Sequence, residues 1–307
     1  MANTINYAAI FQKALDEQMV QGATSGWMEG NAGQAIYNGG KDIKIPKMTI
    51  DGLGNYDRQL GYPGGSVTLD YETMTMTQDR GKQFVLDSMD INESNFVVNA
   101  SSVMAEFQKL QIIPEVDAYR YSKIAALAIA KGKAIGGYTP SASDILSKLR
   151  ADITAIQDVV GDIPLIITMS RATKAILESS AEIQKQLVVT DFESGAYKTK
   201  VSIIDDCPII PVPSVRLKTA YVFRDGRTAG QTQGGFTPDA AAKNINWIIC
   251  GQNVPIAVSK TDNMKIFEPA VVQDADGYKM DYRKYHDLWI PDNKYDALLV
   301  NIKEALA

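Results

Sequence analysis

Between Gln34 and Lys82 the sequence describes two facing strands with nothing local to pack against, and no other segment limits the fold as much. The outgoing limb, Lys41 to Ile50, alternates apolar with polar residues and leads into a glycine-rich stretch holding Gly52, Gly54, Gly61, Gly64 and Gly65. The return limb, Ser66 to Thr77, alternates again, with Val67, Leu69 and Tyr71 on one face. At roughly 3.3 Å per residue such limbs extend on the order of 50 Å, beyond the radius of a compact domain of this size. An isolated two-stranded ribbon is marginal in water. Its apolar face is therefore expected to bury against another subunit.

A long helical pattern follows from Asn99 to Lys131. Val103, Phe107, Leu110, Pro114, Asp117, Tyr121, Ile124 and Ala128 recur at three- and four-residue steps. Pro114 has no N–H and disfavours helical geometry at Ile113, so the rod is expected to bend or break there and serve as a hinge. Upstream, residues 4–20 carry an amphipathic pattern, and the Gly-, Ala- and Asn-rich stretch after them, anchored only by Trp27 and Tyr37, predicts a tether. Downstream, Ser143 is the expected N-cap of a helix ending at Gly161, and Ser170 the cap of a short helix after the strand Pro164 to Met169. Further strands are expected over Val201 to Ile204, Ala220 to Phe223, Ile245 to Ile249, Gly277 to Ile290 and Ala297 to Ile302. A surface loop is expected from Gly226 to Pro238.

The chain is poor in the residues that catalysis most often uses. His286 is the only histidine of the 307 residues, which removes zincin helices and paired-histidine metal centres, and it is expected to be a packed or surface imidazole. Cys207 and Cys250 are too few for a disulfide framework. No Gly-x-Ser-x-Gly elbow or Walker loop is present. Asp205 and Asp206, and the group Asp262, Asp274 and Asp276, lack the regular ligand spacing of a calcium site and read as solvated loop carboxylates. A net charge of −5 argues against a dedicated nucleic-acid-binding surface. The sequence contains no stretch approaching a membrane span, and its start lacks the pattern of a secretory signal.

Taken in order, an arm, a long ribbon, a spine helix, a central α/β portion and C-terminal strands resemble the major capsid proteins of tailed phages, with the Hong Kong 97 phage-type fold. Three stretches carry the likeness to siphovirus capsid proteins: Asp79-Arg-Gly-Lys-Gln-Phe-Val-Leu-Asp87, Phe107-Gln-Lys-Leu-Gln-Ile-Ile-Pro-Glu-Val-Asp-Ala-Tyr-Arg-Tyr-Ser-Lys123, and Tyr282-Arg-Lys-Tyr-His-Asp-Leu-Trp289. The resemblance implies an α+β fold divided into an N-terminal arm (1–33), an E-loop (34–82), a P-domain with the spine helix (83–132), an A-domain (133–249) and P-domain C-terminal strands (250–307).

The same resemblance implies a structural, non-enzymatic protein of the virion capsid, assembled in the host cytoplasm. It would self-associate as pentamers and hexamers into an icosahedral or prolate head and enclose double-stranded DNA without sequence-specific binding. No cofactor, metal or membrane is implied, and separate scaffold and portal proteins are expected partners. Val67, Leu69 and Tyr71 are the expected intersubunit contacts; Asp79, Arg80 and Lys82 are expected to make intersubunit or ribbon-to-body ion pairs, with substitutions at Arg80 sparing the single chain. Two other readings remain open at this point: an encapsulin-type nanocompartment shell, and a cytosolic α/β enzyme with a dimerisation arm.

Overall fold

The computed structural model describes residues 23–34, 36–37, 42–59, 61–87, 100–183, 203–269, 271–272 and 277–306. The helix expected over residues 4–20 lies outside this set, as do Asp274 and Asp276. The ribbon is present as expected: β2 (Asp42–Ile50) pairs antiparallel with β3 (Val67–Thr75), and the short β1 (Ile36–Tyr37) covers only Ile43 and Lys44 at its root. Pro46 sits where β2 has become an edge, which is where a strand tolerates proline. β3 runs on into β4 (Gln78–Asp87), which leaves the ribbon for a different sheet.

The spine has two α-helices joined by a π-turn. α1 (Ala100–Phe107) and α2 (Ile113–Ala130) flank Gln108–Ile112, and the Ile113 N–H donates to the Gln108 carbonyl five residues back. The irregularity expected from Pro114 is thus one turn wide and lies just N-terminal to it. Pro114 cannot donate to Leu110 and its ring would crowd that carbonyl. At the second position of α2 the proline directly follows the π-turn, where the regular ladder is already interrupted, so its missing N–H costs less than in a regular helix interior. Ile113 keeps helical angles (φ −57°, ψ −48°), contrary to the sequence expectation: packing of α1 and α2 into one core outweighs the local preference of a residue before proline.

A mixed six-stranded sheet forms the other half of the chain. In order it consists of β5 (Ala134–Ile135), β14 (Leu298–Ile302), β11 (Ile245–Gly251), β6 (Leu165–Ser170), β8 (Cys207–Val212) and β7 (Ile203–Ile204). All seven residues of central β11 are buried and they alternate between two cores. Ile248 and Cys250 pack with Tyr121, Ile124 and Ala128 of α2, while Trp247 and Ile249 pack with Leu149, Ile153 and Ile156 of α3 (Ile145–Val160). α4 (Arg171–Glu178) covers the second face beside α3 and is capped as expected, Thr173 N donating to Ser170 Oγ at 3.1 Å. The cap position of α3 is Asp144 rather than Ser143; its carboxylate is taken by the Ser141 hydroxyl and not by the helix.

A three-stranded sheet of β12 (Ile256–Phe267), β13 (Gly277–Trp289) and β4 completes the chain with the hairpin β9 (Tyr221–Phe223) and β10 (Phe236–Pro238). The six-residue β8 and the twelve-residue β12 were not legible as strands: Pro208 and Pro211 interrupt the first, and the polar run Ser259 to Asn263 masks the second. The expected tether is in part a 3-10 segment, Gly26–Gln34, whose Met28 is fully buried against α2 and the sheet. Asp205 and Asp206 form a two-residue hairpin turn with φ of 46° and 61°, the left-handed pair that joins closely spaced strands. No helix among the described residues is long and apolar enough to cross a membrane.

If the π-turn is fixed by packing above and below it, replacing Pro114 with alanine leaves it in place. Met104 and Phe107 on one side and Val116 on the other join a single core with Met280 and Tyr282, and closing the turn would rotate α1 out of it. Pro114→Ala is therefore expected to change unfolding free energy by less than about 1 kcal/mol, well short of the ~3 kcal/mol propensity difference of a helix interior. Chemical denaturation of the two proteins measures this, and a gain near the full difference would show that the proline alone holds the turn.

Candidate functional site

The ribbon carries apolar residues on two opposite faces, at two different heights. Cross-strand partners share a face, and the pairs Ile50–Val67, Met48–Leu69 and Pro46–Tyr71 place six apolar side chains together. On the other face lie Ile43 and Ile45, opposite Met74 and Glu72. Those two isoleucines are 0% and 5% exposed and pack with Met76, Ile256, Val258 and Trp289. By contrast Ile50 and Val67 are 65% and 67% exposed, and Met48, Leu69 and Tyr71 are exposed as well. The switch of face falls between the adjacent apolar residues Ile45 and Pro46. Below it the ribbon is bound to its own body; above it the apolar face looks away.

Mid-ribbon contacts with the body are polar. Lys47 approaches Asp292 at 4.0 Å, the Asp292 N–H donates to Glu72 at 3.4 Å, and Lys131 pairs with Asp292 at 2.8 Å. Exposed pairs of this kind contribute roughly 0–1 kcal/mol each. Beyond them, Leu53, Tyr56 and Tyr62 at the tip are exposed, the two tyrosine rings in contact at 5.0 Å.

Anchoring at the root is stronger. Thr77, between β3 and β4, donates from both N–H and hydroxyl to the buried carboxylate of Asp287 at 2.9 Å, and the Tyr119 hydroxyl of α2 donates to the same group at 2.6 Å. Three residues on, Arg80 donates to Glu115 of α2 at 2.6 Å and to the carbonyls of Arg224 and Gly235 at 2.7 and 3.3 Å, with Phe223 beneath its guanidinium at 5.9 Å. Gly81 follows because a side chain there would meet the Tyr282 carbonyl at 2.9 Å, so only glycine lets β4 lie this close to β13.

The charged residues singled out from sequence thus divide. Asp79 faces solvent and forms a bidentate pair with Arg283 at 2.9 and 2.6 Å, which holds its carboxyl below the usual range. Arg80 is engaged within its own chain, tying ribbon root, spine and the β9–β10 hairpin together, so its substitution bears on the fold of the single chain. Lys82, on the same face of β4 as Arg80 and Phe84, has no hydrogen bond or ion pair among the described residues. Sequence reasoning missed Pro46, Met48 and Ile50 on the apolar face, although the phase slip at Ile45–Pro46 would have marked them. It also missed Asp287 and Glu115, for which no local signal exists because their partners lie 210 and 35 positions away.

A second buried network fixes the segment before the ribbon. Asp117 of α2, fully buried, accepts from the N–H and hydroxyl of both Thr24 and Ser25 and from Arg216. Arg120, one turn on and equally buried, donates to Ser25 and pairs with Glu29. His286 lies beside this layer, edge-on to Tyr119 at 5.4 Å, and is buried as a packed imidazole. Burial, with the cations Arg120, Lys284 and Arg80 around it, pushes its pKa well below the ordinary histidine value. No group of three His, Cys, Asp or Glu side chains that could hold a metal occurs among the described residues.

No family model and no curated protein matches this sequence. Solved structures do. The chain is similar to the mature capsid of bacteriophage PhiM1 (TM-score 0.60, 13% identity, 87% of this chain and 83% of that one). It is similar to the capsid of cyanophage P-SCSP1u (TM-score 0.58, 12% identity, 86% and 83%). A virus-like particle from Pyrococcus furiosus also matches, with TM-score 0.51, 12% identity and coverage of 96% and 99%.

Two consequences are measurable. Arg80→Ala removes the donor to Glu115 and to the Arg224 carbonyl, while the Gly235 carbonyl keeps the Arg224 N–H, and is expected to lower unfolding free energy of the single chain by about 2–4 kcal/mol in chemical denaturation; an unchanged midpoint would place Arg80 outside the fold. His286 stays neutral when folded but takes up a proton when unfolded, so the chain should lose stability as pH falls below about 6.5. His286→Phe, which keeps the edge-on packing, should reduce that slope, and an identical pH profile would contradict it. The geometry and the similarities agree on one conclusion: the chain has the α+β fold of tailed-phage major capsid proteins.

Proposed function

We propose that this protein is a major capsid protein that assembles with copies of itself into the closed head of a tailed phage. The observation that carries the reading is the outward apolar face of Pro46, Met48, Ile50, Val67, Leu69 and Tyr71, on a ribbon whose apolar packing against its own body, among the described residues, lies at the root. Full burial of one such aliphatic side chain contributes roughly 1.5–3 kcal/mol, so a neighbour covering most of the face supplies a useful contact without making any single interface irreversible. Repeated many times around a shell, contacts of this strength give cooperative closure. In this reading residues 34–82 are the contact arm, the spine helix and the sheet of β4, β12 and β13 the peripheral wall, and the six-stranded sheet with α3 and α4 the axial part. β14 pairs with β11 and β5, which supports counting residues 298–302 with the axial part in this reading.

The shell would form pentamers and hexamers, reside in the virion and enclose double-stranded DNA with no catalytic step of its own. Separate scaffold and portal proteins are its expected partners. The acidic chain suits a container that must release its contents, since an inner wall rich in unpaired cations would hold phosphates. An encapsulin-type compartment is the second reading, favoured by the likeness to the Pyrococcus furiosus particle over almost the whole of both chains. Purified particles distinguish the two: packaged double-stranded DNA in particles from infected cells supports the first, and protein cargo without nucleic acid supports the second.

Placing a charge in the apolar face tests the shared claim. Leu69→Asp combined with Met48→Asp is expected to leave a folded chain with an unchanged melting temperature while lowering particle yield at least ten-fold by sedimentation. Wild-type yield from that variant would remove the ribbon from assembly.

A further inference from the structure

A cavity of about 560 Å³ opens at the ribbon root, between β4, the π-turn of the spine and the loop that joins β9 to β10. That size falls in the range of small-ligand sites. The carboxylates in its walls have partners of their own: Asp79 pairs with Arg283, Glu115 with Arg80, and Asp225 accepts from the N–H groups of Arg227 and Thr228 and from the Thr228 hydroxyl. Among the cations, Arg80 is matched by Glu115 and Lys284 by Asp262. The side chains of Lys82 and Arg224 also line the cavity and make no hydrogen bond or ion pair among the described residues. Buried His286 is part of the wall, its Nδ1 without a hydrogen-bond partner among the described residues. Burial first, and then the cations Arg120, Lys284 and Arg80, hold that imidazole below the ordinary histidine pKa, so the field at this wall is positive. The combination favours an anion.

The floor is aromatic. Phe107 of the spine stands edge-on to both Phe84 of β4 and Tyr282 of β13, with ring centroids 4.9 and 6.1 Å apart. Phe84 and Phe107 are only half-buried by their own chain, and all three rings line the cavity. An edge-to-face group of this kind leaves ring surface on which a planar heterocycle packs. The guanidinium of Arg224 has the planar fork that suits a phosphate, and Lys82 adds a second positive charge; together they balance a phosphate monoester, which carries about −1.5 to −2 charges at neutral pH. We infer that this cavity binds a small aromatic phosphate monoester, the chemical class of a nucleoside monophosphate, with Lys82 and Arg224 on the phosphate and Phe84 and Phe107 under the ring. The site is complete within one chain and draws on no residue of the outer ribbon, so it goes beyond the assembly reading. It also gives the π-turn a role, since Gln111 and Ile112 of that turn form part of the wall and such turns are frequent at functional sites.

Titration calorimetry of the full chain at low ionic strength tests it, with adenosine 5′-monophosphate as the probe. Saturable binding of one nucleotide per chain is expected. Ribose 5-phosphate, which keeps the phosphate without the ring, and adenosine, which keeps the ring without the phosphate, should each bind more weakly by about ten-fold or more. Lys82→Ala with Arg224→Ala should weaken nucleotide binding by about ten-fold or more at unchanged melting temperature, since neither side chain has a partner in the fold. The 8-azido derivative of the same nucleotide, on illumination, should label the peptides carrying Phe84 or Phe107, and an excess of the unmodified nucleotide should prevent it. No saturable binding, ribose 5-phosphate binding as well as the nucleotide, full affinity in the double variant, or labelling confined to other peptides would each overturn the inference. A 5′-phosphorylated oligonucleotide that displaces the mononucleotide at a lower concentration than the mononucleotide itself would overturn it in favour of a nucleic acid strand. No arm of the test reads particle formation, so its failure leaves the assembly reading standing.

Discussion

The carboxylate of Asp287 holds the structure's most consequential junction. It takes two hydrogen bonds from Thr77, where the ribbon ends, and one from Tyr119 on the spine helix, and it does so fully buried. A buried carboxylate without donors would be costly, so the three groups are held in one geometry. Arg80 adds a second tie between the same strand and the same helix, and through the Arg224 and Gly235 carbonyls extends it to the hairpin. A two-stranded ribbon has little stiffness of its own, so its direction in space is set by these few bonds at the root. Everything the outer ribbon can reach follows from them.

Above the root, the change of apolar face separates two jobs. Ile43 and Ile45 attach the arm to its own chain; Met48, Ile50, Val67 and Leu69 are withheld from it. A ribbon apolar on one face throughout would either collapse onto its own body along its whole length or stand entirely free. The phase slip prevents both, and the polar contacts around Asp292 mark the point where own-chain support ends. The N-terminal segment is treated in a related way: residues 24–29 are drawn into the body by Asp117, which accepts from Thr24 and Ser25, and by Arg120, which pairs with Glu29.

Much of this was legible in the sequence because it depends on local pattern. The ribbon, the spine, the capped α4 and the long alternating β13 follow from periods of two and 3.6 residues and from Ser170 ahead of a helical stretch. Proline was the weak point in both directions. Pro114 marked an irregularity but not its form, since a π-turn depends on which side chains above and below must stay in one core. Pro208 and Pro211 hid a strand that tertiary pairing stabilises regardless. Charge was legible as composition and not as geometry: Asp79, Arg80 and Lys82 are consecutive punctuation in sequence, yet strand alternation puts Asp79 in solvent and the other two against the spine. Only the fold shows that Arg80 is matched, while Lys82 has no hydrogen bond or ion pair among the described residues.

The central claim is that the outer ribbon face is left uncovered by its own chain because a neighbour covers it. An electron cryomicroscopy map of the assembled particle tests this most directly. The account predicts that Met48, Ile50, Val67 and Leu69 are buried against an adjacent copy at every position of the shell, with the Thr77–Asp287 and Arg80–Glu115 contacts intact within each chain. A closed particle in which those four side chains remain in solvent, or in which the ribbon folds back onto its own body, would contradict it.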